Sequence, residues 1–406
     1  MEYKKVTTGL FGGSVILLIT INIFNALNYF FHFAMARMLS IADYGVLVAI
    51  MSMLYIFNVA VEAIQTIVSK YTSQESRDGR IKNILKKALN KGLRAAFVLF
   101  LAFLVLAIVI SGVLRIEYNL VAVSGLILFA VFLLPVTRGA LQGKKRFNAL
   151  GLNMILEAVL KIGFAILLVL IGWRVYGPIL AIFIGTAIAF FVSFYNLRDI
   201  FRSKEEKADT RGIYGYSLPV IVIMLAVIIF YSLDVILAKS FFSDDIAGEY
   251  AIASTLAKII FFGTLPISKA MFPISSEASV NKKNKTDSIF YKAAGLMALC
   301  IVIALGVMYL FPDLLVRIFS GTSHAIASGI LFYLAIAIAL ISFTNLILLY
   351  KISIGNVGNY WLIFIMPIIE IFMLSVFRGD VLQYSITLIF LNLLFLFASI
   401  FLFNKR

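Results

Sequence analysis

The chain has 406 residues, of which 62% are hydrophobic and only 14% charged, with a net charge of +15. Soluble domains carry about 25% charged residues, so the mean hydropathy of +1.04 assigns this chain to a bilayer. In a soluble protein the basic excess would point to nucleic acid; here its placement among apolar segments decides otherwise, and no nucleic-acid partner is expected.

Twelve apolar segments are predicted, each long enough to cross a hydrocarbon layer of ~30 Å. In chain order they cover about residues 9–36, 44–69, 93–114, 119–141, 148–172, 177–197, 216–238, 248–276, 289–311, 326–350, 357–377 and 381–403. The first is too long for a signal-peptide core and has no small-x-small cleavage site before the next, so it is expected to remain as a span. Connections are short, the longest being the polar stretches 70–92 and 198–215. Cys300 is the single cysteine and falls in a span, which excludes a disulfide framework or thiolate metal site. No cofactor and no metal are expected.

The first span carries Asn22, Asn25 and Asn28, followed by His32. A step of three on a helix of 3.6 residues per turn gives a slowly drifting polar stripe on one face. Amides cannot face lipid unsatisfied, so the stripe either lines a wet cavity or packs between helices. Arg37 follows at the end of this span, before Asp43-Tyr44-Gly45. The second span presents Asn58, Glu62, Gln65 and Ser69 on one face. Glu62, its only acid, is a candidate for binding a coupling ion or for a static pair with a lysine. Arg138 lies towards one end of the fourth span, placed to snorkel or to stand at a cavity mouth. Glu157 and Lys161, at i and i+4 on the fifth span, read as a self-neutralising pair.

The run from Arg198 to Arg211 divides the chain almost equally, giving halves 1–205 and 206–406 with six spans each. It reads as a solvated basic linker or as a headgroup-attracting segment. After it, the opening hairpin recurs: Asp234 to Lys239, a short turn, then Gly248-Glu249-Tyr250-Ala251. Such a repeat implies two equivalent helical bundles. Because six is even, the halves are parallel repeats about an axis along the membrane normal.

The eighth span holds Ser254, Lys258 and Lys269. The eleven residues between the lysines return to within ~20° of one face, ~16 Å further along. Pro266 and Pro273 are expected to kink or break this helix. Two readings stand for the lysines: a paired cationic site for phosphate, or ion pairing with Asp234 and Glu277. Glu370, near Pro367 on the eleventh span, suits core pairing or an ion site equally.

Charge orients the bundle. With the N-terminus inside, 25 of the 35 Lys and Arg residues fall in inside segments and six in outside segments. The remaining four, Arg138, Lys161, Lys258 and Lys269, lie within spans. This is the positive-inside pattern for an even number of spans with both termini cytoplasmic.

Three passages resemble one family in the right order. They are Ala36-Arg37-Met38-Leu39 with Tyr44-Gly45; Arg138-Gly139-Ala140-Leu141-Gln142-Gly143-Lys144-Lys145-Arg146-Phe147; and Tyr216-Ser217-Leu218-Pro219 with Asp234, Leu237, Gly248, Tyr250, Ala253 and Pro273. Together they resemble the polysaccharide flippases of the multidrug/oligosaccharidyl-lipid/polysaccharide exporter superfamily, over about residues 1–290 and by topology beyond. The resemblance implies an all-α integral membrane protein with two six-helix lobes around a V-shaped central cavity. It also implies a cargo, a polyprenyl-diphosphate-linked oligosaccharide moved to the outer leaflet of the plasma membrane, and polysaccharide-assembly proteins as partners.

The residues suit such a cargo. A diphosphate needs cations, for which Arg37, Lys258, Lys269 and Arg138 are candidates, and sugars need hydrogen-bonding groups, for which Asn22, Asn25, Asn28 and Asn58 are candidates. Glu62 and Asp234 are candidates for coupling to a proton or sodium ion. No H-E-x-x-H, P-loop, G-x-G-x-x-G or outer-loop D-x-D motif occurs, and Asp244-Asp245 with Glu249 reads as a solvated turn. An enzyme is therefore not expected, and any energy comes from an ion gradient, from the cargo's own gradient or from a partner. The rival readings are an organic-cation antiporter of the same superfamily, a membrane glycan polymerase or glycosyltransferase, and a scaffold that does not transport.

Overall fold

The computed structural model describes residues 2–208, 218–280, 286–356 and 358–401. Arg211, Tyr216, Ser217, Lys282, Lys283, Lys285, Lys405 and Arg406, which entered the readings above, lie outside them. Among the described residues there is no strand.

Four helices open the chain: α1 (Glu2–Met38), α2 (Ile41–Tyr55), α3 (Asn58–Gln74) and α4 (Asp78–Leu114). There follow α5 (Tyr118–Ser124), α6 (Ile127–Gly143), α7 (Phe147–Leu170), α8 (Tyr176–Tyr195) and the short α9 (Arg198–Arg202). Past the midpoint come α10 (Leu218–Phe241), α11 (Asp244–Ala257), α12 (Ile259–Val280), α13 (Thr286–Leu310), α14 (Pro312–Ser320) and α15 (Ala325–Ser353). A 3-10 turn (Tyr360–Phe364), α16 (Ile365–Val376) and α17 (Val381–Phe401) complete it.

Among the described residues nine helical stretches are long and apolar enough to cross a membrane, and a tenth is the pair α2 and α3, bent by 41°. Two differences separate this from the twelve predicted spans. The leading part of α1 carries no described side chains, and Tyr360–Val376 is apolar but short. The longest expected loops are partly helical where they are described: Arg198–Arg202 opens the second as α9. The stretch 70–92 is mostly helix, interrupted only between Gln74 and Asp78, because hydropathy marks the bilayer and not the end of a helix. Ile81, Ile84 and Leu85 supply a buried stripe at helical spacing. At ~1.5 Å per residue the 37 residues of α4 span ~55 Å, well beyond a hydrocarbon layer.

The chain forms two compact units, Met1–Leu39 with Phe57–Tyr216, and Ser40–Ile56 with Ser217–Arg406. The first is built on α7 against α8 and α1, and on α6 against α3, α4 and α8. Its core gathers Val68, Ile81, Leu85, Val136, Leu141 and Leu150. The run 203–208 is exposed along 204–207, as a solvated linker would be, and is also tied to α4. The Glu206 N–H donates to the Gly79 carbonyl (3.1 Å), Lys82 Nζ to the Ser203 carbonyl (2.9 Å), and Asn83 and Lys86 to the Glu205 carboxylate (2.7 and 2.9 Å). These bonds, Lys86 first, hold the Glu205 carboxyl below its ordinary range.

In the second unit α15 packs on α17, α12 and α11, while α2 lies against α11 and α10. Ser40 caps α2, its hydroxyl accepting from the Asp43 N–H at 3.2 Å. Glycine makes the α2–α11 crossing possible. A Cβ on Gly45 would lie 2.9 Å from the Gly248 Cα, and Tyr44 OH reaches Thr255 Oγ1 at 3.2 Å. The recurring Tyr-Gly and Gly-x-Tyr passages are thus the two sides of one helix contact.

Asp244 and Asp245 occupy the first turn of α11, where the dipole favours acids, and Asp244 pairs with the buried Lys239. Glu249 accepts from the Ala327 N–H at the start of α15 (3.0 Å). Asp244 and Asp245 are exposed, as a solvated turn requires, whereas Glu249 is half-buried and holds a helix end. α12 accommodates Pro266 and Pro273 without ending; the interruption falls earlier, at Lys258.

Candidate functional site

Each unit buries a charged network built on a helix face read every fourth residue. On α11 the positions are Tyr250, Ser254 and Lys258, and one turn per step puts all three on one face. All three meet Asp234 of α10. Tyr250 OH and Ser254 Oγ donate to Oδ2 (3.2 and 2.9 Å), and Lys258 Nζ donates to Oδ1 (2.9 Å). Tyr384 OH, from α17, donates to the Asp234 carbonyl (2.7 Å). The ammonium also lies 4.4 Å from the Tyr231 ring centroid, a cation–π distance. Asp234 is 5% and Lys258 8% exposed, so the pair is enclosed. Beside it is a cavity of about 20 Å³ lined by Tyr231, Asp234, Ser254 and Asn392 with apolar residues of α15 and α17, enough for one water molecule and for no glycan. Glu370 of α16 is fully buried in the same unit.

On α7 the matching positions are Asn153, Glu157 and Lys161. Arg138 of α6 donates from Nε to Asn153 Oδ1 (2.8 Å) and pairs with Glu157 (2.7 Å). Asn153 in turn donates to the Ala189 carbonyl of α8 (2.7 Å). Lys161 donates to Asn28 Oδ1 and lies 4.7 Å from the Phe31 ring centroid. The expected Glu157–Lys161 attraction persists through space, while the hydrogen bonds of the two go to other helices, to Arg138 and to Asn28. The reason is geometric: α6 and α1 bring partners over the α7 face that its own neighbours cannot match.

Within each unit the predicted site residues occupy different surroundings. Asp234 and Lys258 meet, as in the ion-pair reading of that lysine. Lys269 is exposed on α12 and Lys258 is not, so the two lysines occupy different environments. Arg138 is buried and bonded inside the first unit. In the amide stripe Asn28 packs between helices, Asn25 is half-buried and Asn22 exposed. Asn58 is half-buried at the start of α3, and Glu62 one turn further is exposed. Gln65 of that face donates to Gln142 (3.0 Å). His32 stacks edgewise on Phe31. Arg37 is exposed, with its guanidinium 4.4 Å over the Phe33 ring. Sequence reasoning missed Asn153, Tyr384 and Asn392, though the four-residue ladders 153/157/161 and 250/254/258 were there to be read.

A family model described as polysaccharide biosynthesis protein matches residues 11–279. Solved structures share the fold over nearly the whole chain. An inward-facing multidrug resistance MATE family transporter of the MOP superfamily is 14% identical, with 95% of this chain and 96% of that one covered and a TM-score of 0.78. The lipid II flippase MurJ, in an inward closed conformation, is 13% identical, with 95% and 87% covered and a TM-score of 0.71. A MOP superfamily transporter from Pyrococcus furiosus, described as having a binding pocket of reverse polarity, is 15% identical, with 98% and 94% covered and a TM-score of 0.56. No curated protein matches the sequence.

Proposed function

This chain belongs to the polysaccharide biosynthesis protein family, and on that premise we propose that it is a flippase for a polyprenyl-diphosphate-linked oligosaccharide. It is a multi-pass membrane protein with the fold of MOP superfamily transporters. The family match over residues 11–279 carries the reading; the fold shared with a lipid II flippase supports it.

In this reading both termini face the cytoplasm of a plasma-membrane protein, and the cargo crosses to the outer leaflet by alternating access. The exposed Arg37 and Lys269 are the first cationic contacts for the diphosphate. Lys258 and Arg138 join only when their pairs with Asp234 and Glu157 open. Asn22, Asn25, Asn28 and Asn58 offer hydrogen bonds to sugar, and Glu62 and Asp234 are the candidates for ion coupling. Assembly proteins that extend the glycan are the natural partners of such a carrier.

Depletion tests it. Loss of the protein should leave a lipid-linked oligosaccharide accumulating on the cytoplasmic leaflet. Normal glycan export with no such intermediate, alongside new sensitivity to organic cations, would favour the antiporter.

A further inference from the structure

The second unit encloses a carboxyl group that nothing above employs. Glu370 lies on α16, which packs against α10, α17 and the 3-10 turn, and none of its surface is exposed. Neither carboxyl oxygen has a hydrogen-bond partner. The charged groups acting on it are Asp234 of α10 and Lys258 at the α11–α12 joint. The same two carboxyls act on two phenols, Tyr250 and Tyr384, and Tyr360 is the titratable residue of the adjoining turn.

The charge balance is uneven: two carboxyl groups share one ammonium, and the ammonium's hydrogen bond goes to Asp234 at 2.9 Å. An ionised Glu370 would be a second anion shut away from water with no donor on either oxygen, an unfavourable state. The neutral carboxyl is the form this enclosure tolerates. We propose that Glu370 is a proton-binding site of the second unit, loaded while the site is closed as in this structure and emptied when the Asp234–Lys258 contact opens to water. Loading forms one O–H bond with a proton taken from water, and unloading returns that proton, so no co-reactant is needed.

Lys258 connects the site to the fold. It is the residue at which α11 gives way to α12, so an ionised Glu370 competing with Asp234 for its ammonium pulls on a helix joint. The tethered ammonium also takes the place beside Asp234 that an alkali cation would need. Among the described residues no three His, Cys, Asp or Glu side chains gather to hold a metal ion. A proton is the ligand that this enclosure suits. The site goes beyond the flippase reading and is tested without cargo, so either can fail alone.

Infrared spectroscopy of the purified full chain in neutral phospholipid vesicles reads the site directly. The carbonyl band of a protonated carboxylic acid should be present at neutral pH and vanish in alkaline buffer. It should shift when the protein is made with heavy-carbon glutamate, persist in Glu117→Gln and Glu206→Gln, both at exposed positions, disappear in Glu370→Gln, and ignore exchange of sodium for choline. Absence of the band at neutral pH, its survival in Glu370→Gln, or its displacement by sodium would overturn the proposal. Should Glu370→Gln fail to fold, labelled wild-type protein decides: a band that shifts with heavy-carbon aspartate instead places the proton on Asp234 and refutes the assignment.

Discussion

Asp234 accepts three hydrogen bonds at its carboxylate and one at its carbonyl, so single changes here should act on folding before they act on transport. Removing one partner of a buried ion pair typically costs about 3–5 kcal/mol, because the other charge is stranded. Lys258→Gln and Asp234→Asn should each lower folded yield and unfolding temperature, and the double variant should recover most of the loss. Single variants as stable as the wild type would show that the pair is not structural. Exposed cations behave differently. Arg37→Gln and Lys269→Gln should change stability by less than about 1 kcal/mol. A cation ~4 Å from a phosphate contributes between about 1 kcal/mol in water and about 4 near a protein surface, so each change should slow flipping by roughly tenfold or more. Unchanged flipping in both would remove them from the cargo path. The sequence shows which residues are unusual for a bilayer; it does not show their partners. Glu157 and Lys161 are neighbours on a helix, yet Arg138 and Asn28 arrive from α6 and α1, a fact of tertiary packing that no spacing encodes.

At the scale of elements, the α2–α11 crossing depends on the absence of side chains at Gly45 and Gly248. A Cβ on Gly248 would strike the Ile41 carbonyl, and overpacking of this kind typically costs about 1–3 kcal/mol. Gly248→Ala should therefore lower the unfolding temperature clearly, whereas Gly263→Ala, with nothing within 4 Å of its Cβ, should not. Equal stability of the two variants would mean that the helices part without penalty. Helix ends were the least legible elements. Polarity in 70–92 suggested a loop, but the Ile81, Ile84 and Leu85 stripe extends α4 through it. The linker acids Glu205 and Glu206 are exposed charges, and spacing does not reveal that Asn83 and Lys86 reach Glu205 or that Arg77 and Arg80 pair with Glu206.

For the whole molecule, hydropathy and charge carried most of the reading, since a bilayer imposes length and polarity on each span in turn. The membrane class, the helical architecture and the family resemblance were legible for that reason. The gathering of charges into enclosed networks was not, because it depends on distant helices meeting. The proposed topology has its own check: reporters fused after Lys204 should report cytoplasm and one at Asp244 the outside. A cytoplasmic signal at Asp244 would contradict the positive-inside assignment.

The central claim is that this chain carries a diphosphate-linked oligosaccharide across a bilayer. Its most direct test is reconstitution of the full chain in vesicles holding a fluorescent polyprenyl-diphosphate oligosaccharide, with leaflet exposure read by a membrane-impermeant quencher. The account predicts that protein-containing vesicles expose the inner-leaflet pool to the quencher much faster than protein-free vesicles, and that Arg37→Gln and Lys269→Gln slow this. Exposure no faster than in protein-free vesicles, with folded protein present and across imposed proton and sodium gradients, would contradict it.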